Sequence, residues 1–329
     1  MKTSEASENT NSPLFSIVVP VHNRSELISR TIDSILIQSF DNYEIIIIDD
    51  GSTDNLKEIC DNYNSPKINY YYQQNAGSNP ARNAGIQFSR GCFVSFLDSD
   101  DTWEKEFLQE VKNKFASDEE FGLVYVKSIK KYLPDGTQAI KKCSKLEGFI
   151  YRDVLQQGFL TNSSCITVKR SLLEKIGGWD NDLFACQDDD ICFRLAKITK
   201  VGFIDKILST FYIDSRINRI SSSTSRRAWN SLLLWKKFTD DLLLLCGKNE
   251  FLKKITNVYF SFLSVQDKNG LMQCECLLIN QLGYSKYKIL IFRLKFHVIY
   301  YVRLYLKNII MLVLPFKMIV FAKYIIRRN

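Results

Sequence analysis

The chain has 329 residues, of which 46% are hydrophobic, 24% charged and 13% aromatic, a composition that reads as globular and excludes a fibrous or wholly disordered protein. The net charge of +8 is uneven: ten of the 44 Lys and Arg lie in 284–329, which has no Asp or Glu, leaving 34 basic against 36 acidic groups elsewhere, so a nucleic-acid partner loses its support. Nine irregularly spaced cysteines beside only two histidines argue against a Cys/His zinc site and for reduced thiols in a cytoplasmic protein.

Residues 1–13 are small and polar and are predicted to be a disordered lead-in; no apolar core follows Lys2, so they do not read as a signal peptide. "FSIVVPV" (15–21) reads as a short β-branched strand. "SELISRTIDSILIQSF" (25–40) sets Leu27, Ile28, Ile32, Ile35 and Leu36 on one helical face, with Ser25 available as N-cap. "YEIIIIDD" (43–50) is apolar on both faces, as a buried parallel strand should be. A helix over 52–63 starting at Ser52 or Thr53, a strand over 67–72, a helix over 79–90 and a strand over 92–98 follow. This alternation predicts an α/β fold, a mostly parallel sheet with helices on both faces, whose ligands bind beyond the carboxyl ends of the strands.

After Trp103 the order loosens. "GLVYV" (122–126) is a strand, "YLPDGTQ" (132–138) a turn between short strands, and "SSCITVK" (163–169) another strand, followed by a short helix and "GGWD" (177–180). The sequon at Asn162 carries little weight without a secretion signal. A helix over 187–199 and a strand or strand pair over 201–212 are expected. From about 226 the pattern turns helical, with one amphipathic helix over 228–246. The expected division is an α/β domain over 14–225, a helical extension over 226–284 and a basic, apolar tail over 285–329.

Two strands end in acid, at Asp49-Asp50-Gly51-Ser52 and at Asp98-Ser99-Asp100-Asp101. An Asp after a strand often only caps the next helix, which accounts for Asp49 alone or for Asp101 before "TWEKEF". It does not account for Asp98 and Asp100 together. Acids spaced D-x-D on a turn hold a hard divalent cation, Mg²⁺ or Mn²⁺, which is shared with a substrate's phosphates. No G-x-G-x-x-G follows the first strand and there is no P-loop, so a metal-held nucleotide diphosphate remains.

"SIVVPVHNR", "YEIIIIDDGSTD", "NAGSNPARNAGI", "FLDSDD" and "QDDDICFRLA", in this order, resemble family 2 glycosyltransferases of the GT-A fold, over about 15–212. The resemblance implies a metal-assisted, inverting transfer of sugar from a nucleotide-sugar donor, a UDP-sugar first of all, to a glycan or polyprenyl-linked glycan in bacterial surface-polysaccharide assembly. It implies that Pro20, Val21, His22 and Asn23 line the nucleotide pocket, with an imidazole at position 22 where Tyr or Phe is usual. Asp50 matches the carboxylate that accepts from the uracil ring. Arg82 matches a basic residue facing the nucleotide, the plainer alternative being a surface helix arginine. Asp98 and Ser99 match the ribose or donor-sugar side, Asp100 the direct metal ligand and Asp188 the general base. Gln187 stands where Glu commonly contacts the acceptor, which leaves acceptor recognition open. Asp190 and Arg194 are spaced for an i,i+4 ion pair. Trp179 either stacks on a sugar ring or packs in the core. Without the Q-x-x-R-W motif of processive synthases, one sugar per encounter is expected. Two rivals are a nucleotidyltransferase, whose glycine-rich first loop "VPVHNRSE" lacks, and an inactive nucleotide-sugar-binding scaffold, to which Gln187 lends some footing. In the absence of ligands, the 98–101 loop is expected to be the least settled part of the strand edge.

The longest charge-free run near the end of the 285–329 tail, 308–316, has nine residues and contains Pro315. A span needs about 20. The tail either lies on the inner face of a membrane, its cations at anionic headgroups, or packs against protein. Its cations fall on no single clean face.

Overall fold

The computed structural model describes residues 12–133, 135–141, 143–158, 160–214 and 223–313, with side chains as far as residue 301. The lead-in up to residue 11, Pro134 of the expected turn and the tail beyond 313 lie outside the described residues. The chain divides into two compact units, residues 1–222 and 223–329.

In the first unit β1 (Phe15–Val21) and β2 (Tyr43–Asp50) are buried at every position. Continuous burial is possible because helices cover both faces. On one face α1 (Ser25–Leu36) turns Ile28, Ile32 and Ile35 onto Ile17, Val19, Ile45 and Ile47, and Leu56 of α2 (Leu56–Asn62) joins that cluster. On the other lies α3 (Ser78–Phe88), so close that a Cβ at Gly85 would fall 2.2 Å from Val18 Cγ1. The remaining elements are β3 (Ile68–Gln73), β4 (Phe93–Phe96), β5 (Thr102–Trp103), α4 (Phe107–Ser117), β6 (Phe121–Leu133), β7 (Gln138–Ile140), α5 (Tyr151–Gln157), β8 (Ile166–Lys169), α6 (Arg170–Ile176), α7 (Gln187–Ala196) and β9 (Lys200–Asp214). The sheet runs β3-β2-β1-β4-β8-β6-β9-β5, with β7 on β6. Its first four strands are parallel; β8 is antiparallel to β4 and β6, and β5 to β9.

Several local expectations are corrected. Ser25 is not the cap of α1: Arg24 takes that position, and the open Ser25 N–H is met by Asp54 Oδ2 at 2.9 Å. The second helix starts at Leu56, because Ser52 and Thr53 bond to the loop after β1 instead. Asn23 N donates to Ser52 Oγ at 3.0 Å, and Thr53 N donates to Asn23 Oδ1 at 2.8 Å. Asp101 caps nothing: α4 begins six residues later, and the Asp101 side chain is fully buried. Residues 163–165 form a 3-10 turn ahead of β8 rather than strand, and β9 is one 15-residue strand that follows β6 with register shifts.

The second unit is helical: α8 (Thr224–Lys237), α9 (Thr239–Cys246), α10 (Lys248–Ser264), α11 (Lys268–Leu282) and α12 (Lys286–Val313). The single helix expected over 228–246 is broken at Phe238, which leaves helical geometry (ψ 17°) and is buried. Leu232, Phe251, Ile255, Tyr259, Phe262 and Leu278 make its core. Asp267 caps α11 through Gly270 N at 2.9 Å and accepts from Trp229 Nε1 of α8 at 2.8 Å. Among the described residues no helix is long and apolar enough to cross a membrane.

Candidate active site

Three loops are knitted together at the carboxyl ends of β1, β2 and β3. Pro20 and Val21 are buried in β1, whereas His22 and Asn23 are exposed just beyond it, Asn23 at a positive φ of 50°. The His22 ring bonds Asn75 Nδ2, 3.0 Å from Nδ1. Asp49 is structural: its Oδ1 accepts from Ser52 N at 2.7 Å and its Oδ2 from the Tyr70 hydroxyl. Asp50 is buried and accepts from Gln73 Nε2 (2.7 Å), Ala76 N (2.9 Å) and Gly77 N (2.8 Å). A carboxylate has about four acceptor positions, so one remains. These bonds shape the loop that leads into α3, with Gly77 at φ 100°.

From α3 come Asn79, Arg82 and Asn83. Arg82 is 3% exposed, which rules out the surface reading. Its Nη2 donates to Asp98 Oδ1 at 2.7 Å, and its Nη1 to Asn79 Oδ1 at 3.2 Å. Trp179 lies 4.7 Å from the guanidinium and edge-on to Phe96, and is 2% exposed. Its role is therefore core packing, because no ring face is open to a sugar. Asn83 holds it there, accepting from Trp179 N at 2.7 Å and donating to its carbonyl at 2.9 Å.

The turn Ser163–Cys165 joins the acids. Ser163 Oγ donates to Asp98 Oδ2 at 3.1 Å, while Ser163 N donates to Asp188 Oδ1 at 3.2 Å. Ser164 Oγ accepts from Asp98 N at 3.2 Å and donates to Asp101 Oδ2 at 2.6 Å. Asp98, Asp101, Asp188 and Arg82 are thus brought together by two adjacent serines. Asn162, preceding them, is 6% exposed and unsuited to glycosylation. The 98–101 loop expected to be unsettled is tied down: Arg30 Nη2 donates to the Asp100 carbonyl at 2.8 Å, and Thr31 Oγ1 to those of Ser99 (3.0 Å) and Asp101 (2.8 Å). Ser99 is buried and Asp100 partly exposed.

Asp188 lies in the first turn of α7 with Asp189 and Asp190, where the helix N-terminus favours negative charge. Burial, and secondarily the charge of Asp98, raise its carboxyl above the ordinary value of 3.8, with Arg82 opposing. Its Oδ2 makes no hydrogen bond among the described residues, so a raised, partly buried carboxylate oxygen is left over. Burial pushes Asp101 well above the same range, assisted by Asp100 and Asp98. Asp190 pairs with Arg194 at 2.6 Å, and Arg194 Nη1 donates to the carbonyls of Ile176 (3.0 Å) and Gly178 (2.7 Å), anchoring α7 to the loop that carries Trp179. Gln187 opens the helix, and its Oε1 is enclosed without a hydrogen-bond partner among the described residues.

Among the described residues no three His, Cys, Asp or Glu side chains form a cage for a metal ion. What the site offers is Asp100 at the edge of an acid cluster in which both oxygens of Asp98 are already engaged. This donor set suits a hard ion such as Mg²⁺ or Mn²⁺ that takes one or two carboxylates and completes its shell with substrate phosphates.

The sequence reading missed Ser163 and Ser164, seen only as part of a sequon, and Arg30, Thr31, Gln73, Asn79 and Asn83. Thr31 alone left a signal, as a polar residue on the apolar face of α1.

The sequence profile described as Glycosyl transferase family 2 matches residues 16–177. An uncharacterized glycosyltransferase of Rickettsia typhi is 30% identical over 281 residues, covering 80% of this chain and 83% of that protein. Glycosyltransferase GlyA of Streptococcus pneumoniae is 26% identical over 278 residues, 77% of this chain and 38% of that one. Among solved structures, S. aureus TarS 1-349 in complex with UDP-GlcNAc superposes with a TM-score of 0.57 at 16% identity, covering 83% of this chain and 93% of that one. The mannosyltransferase PcManGT of Pyrobaculum calidifontis, in complex with GDP-Man and Mn²⁺, superposes with a TM-score of 0.54 at 16% identity, covering 88% and 81%. The sheet order and the acid-tipped parallel strands are those of the GT-A fold, and with these sequence matches the chain belongs to glycosyltransferase family 2.

Proposed function

We propose that the chain is an inverting transferase that moves one sugar from a nucleotide diphosphate sugar, a UDP-sugar first of all, to a hydroxyl of a glycan or polyprenyl-linked glycan. The observation that carries this is the bridge through Ser163, whose hydroxyl holds the donor-side Asp98 while its N–H holds Asp188. Donor and base are then set by one turn of chain, which restricts the geometry of attack.

In this reading His22 and Asn23 line the nucleotide pocket, and the remaining acceptor position of Asp50 meets the base. Arg82, already neutralised by Asp98, keeps that carboxylate aimed at the ribose or donor sugar, with Ser99 beside it. Asp100 and the diphosphate would hold a divalent cation, whose chemistry is to neutralise charge on the leaving group. Asp188 takes the proton of the acceptor hydroxyl through Oδ2. As the hydroxyl oxygen bonds to the anomeric carbon, the bond to the diphosphate breaks, the electron pair leaves with the phosphate oxygen, and the centre inverts. Gln187 lies on the acceptor side, where an amide replaces a charged contact. The setting is the cytoplasmic face of the membrane, in surface-polysaccharide assembly.

The test is nucleotide release and sugar transfer from a panel of UDP- and GDP-sugars with Mn²⁺ and glycan acceptors, wild type against Asp188→Asn. Loss of transfer with donor binding retained is expected. Equal transfer by both proteins removes Asp188 as the base.

A further inference from the structure

Over residues 286–301 helix α12 has two apolar faces, although one suffices to dock it. On the inner side Ile289 and Phe292 are 7% exposed, Phe292 meets Tyr259 at 5.0 Å between ring centroids, and Phe296 meets Phe260 at 5.1 Å. Arg293 reaches back to Glu275 of α11 at 2.6 Å. On the outer side Tyr287, Leu290, Ile291, Leu294, Val298 and Tyr301 are 47–71% exposed. At about 3.6 residues per turn these six occupy an arc roughly 100° wide, opposite the packed face.

The cations complete the pattern. Lys288 and Lys295, seven residues apart, run along one margin of this arc, and Lys286 along the other, followed seven residues on by Arg293, whose charge is met by Glu275. These four cations make two rows with an apolar stripe between them. No acidic residue occurs anywhere in 284–329. A second copy of the helix laid on this stripe would set cation against cation at both margins, whereas paired helices place opposite charges there. A surface of anionic headgroups meets the same rows with phosphates and takes the stripe into the acyl boundary. Tyr287 and Tyr301, both within the stripe, have the amphipathic rings that suit that boundary.

We propose that the outer face of α12 docks on an anionic lipid bilayer, lying in its interface. This goes beyond sugar transfer and does not depend on it, since binding to lipid involves none of the residues assigned to the reaction.

The experiment is co-sedimentation of the full chain with vesicles of phosphatidylcholine alone and of phosphatidylcholine mixed with phosphatidylglycerol. The wild type should sediment with the mixed vesicles and remain in solution with the neutral ones, and added salt should release it. Lys288→Glu/Lys295→Glu should weaken binding by at least about fivefold per lysine. Leu294→Ser/Val298→Ser should abolish it. All four side chains are exposed, and circular dichroism checks that the variants keep their helices. The proposal is overturned if the wild type ignores phosphatidylglycerol or if the charge-reversed variant binds undiminished. It is also overturned if the wild type is a dimer that Leu294→Ser/Val298→Ser converts to monomer, which assigns the face to a second copy.

Discussion

At the scale of single residues, the two functions of Ser163 can be separated because one belongs to its side chain and the other to its backbone. Ser163→Ala removes the hydrogen bond to Asp98 and keeps the N–H on Asp188. A hydrogen bond to a charged group is worth about 1.5–3 kcal/mol, so the donor KM should rise by more than tenfold, with the pH profile unmoved. Asp188→Asn should do the reverse, lowering kcat by about 10²–10⁴ with donor affinity, read by calorimetry, retained. The pH dependence follows from the direction of the Asp188 shift. Its carboxyl is raised above 3.8, and only the deprotonated form accepts a proton, so the rate should fall as pH drops through the raised value. The acid limb of kcat/KM should therefore lie above the ordinary value of 3.8, and an acid limb at or below it in wild type would contradict the assignment.

At the scale of elements, α3 links the core to the site. It can deliver Asn79, Arg82 and Asn83 to the strand ends because Gly85 lets it sit against β1, where an added Cβ meets Val18 Cγ1 at 2.2 Å and Cγ2 at 2.9 Å. Gly85→Ala must push the helix outward or displace Val18, and overpacking of this kind costs about 1–3 kcal/mol. The denaturant midpoint should fall accordingly. Donor affinity should fall with it, because Arg82 moves with the helix. At Gly136, by contrast, an added Cβ would meet nothing within 4 Å, so that glycine has no such packing role.

At the scale of the whole molecule, the residues assigned to donor, metal and base all fall in the first unit, and that unit has a hydrophobic cluster of its own built from β1, β2, α1 and α4. A chain ending at residue 222 is expected to fold cooperatively and to show thermal stabilisation by UDP, since a ligand that binds only the folded form shifts the unfolding equilibrium. The same truncation should lose vesicle binding.

The alternation of the first hundred residues, the burial of β1 and β2 and the acids at the strand ends were all legible in the amino-acid order, because short β-branched runs such as "YEIIIIDD", apolar on both faces, suit a buried parallel strand. Family motifs in register extended this to the GT-A fold. Folding in three dimensions chose the partners. Asp101 looked like a helix cap and is a fully buried acid on Ser164, 63 residues away. Trp179 was open between stacking and packing until Phe96 and Arg82 enclosed it. Ser163 gave no local signal at all, since a serine before a strand is ordinary. Lys286, Lys288, Arg293 and Lys295 of α12 formed two rows only once the packed face of the helix was known. Periodicity and composition are local properties that the chain carries with it, whereas burial and hydrogen-bond partnership depend on which distant segments the sheet brings alongside.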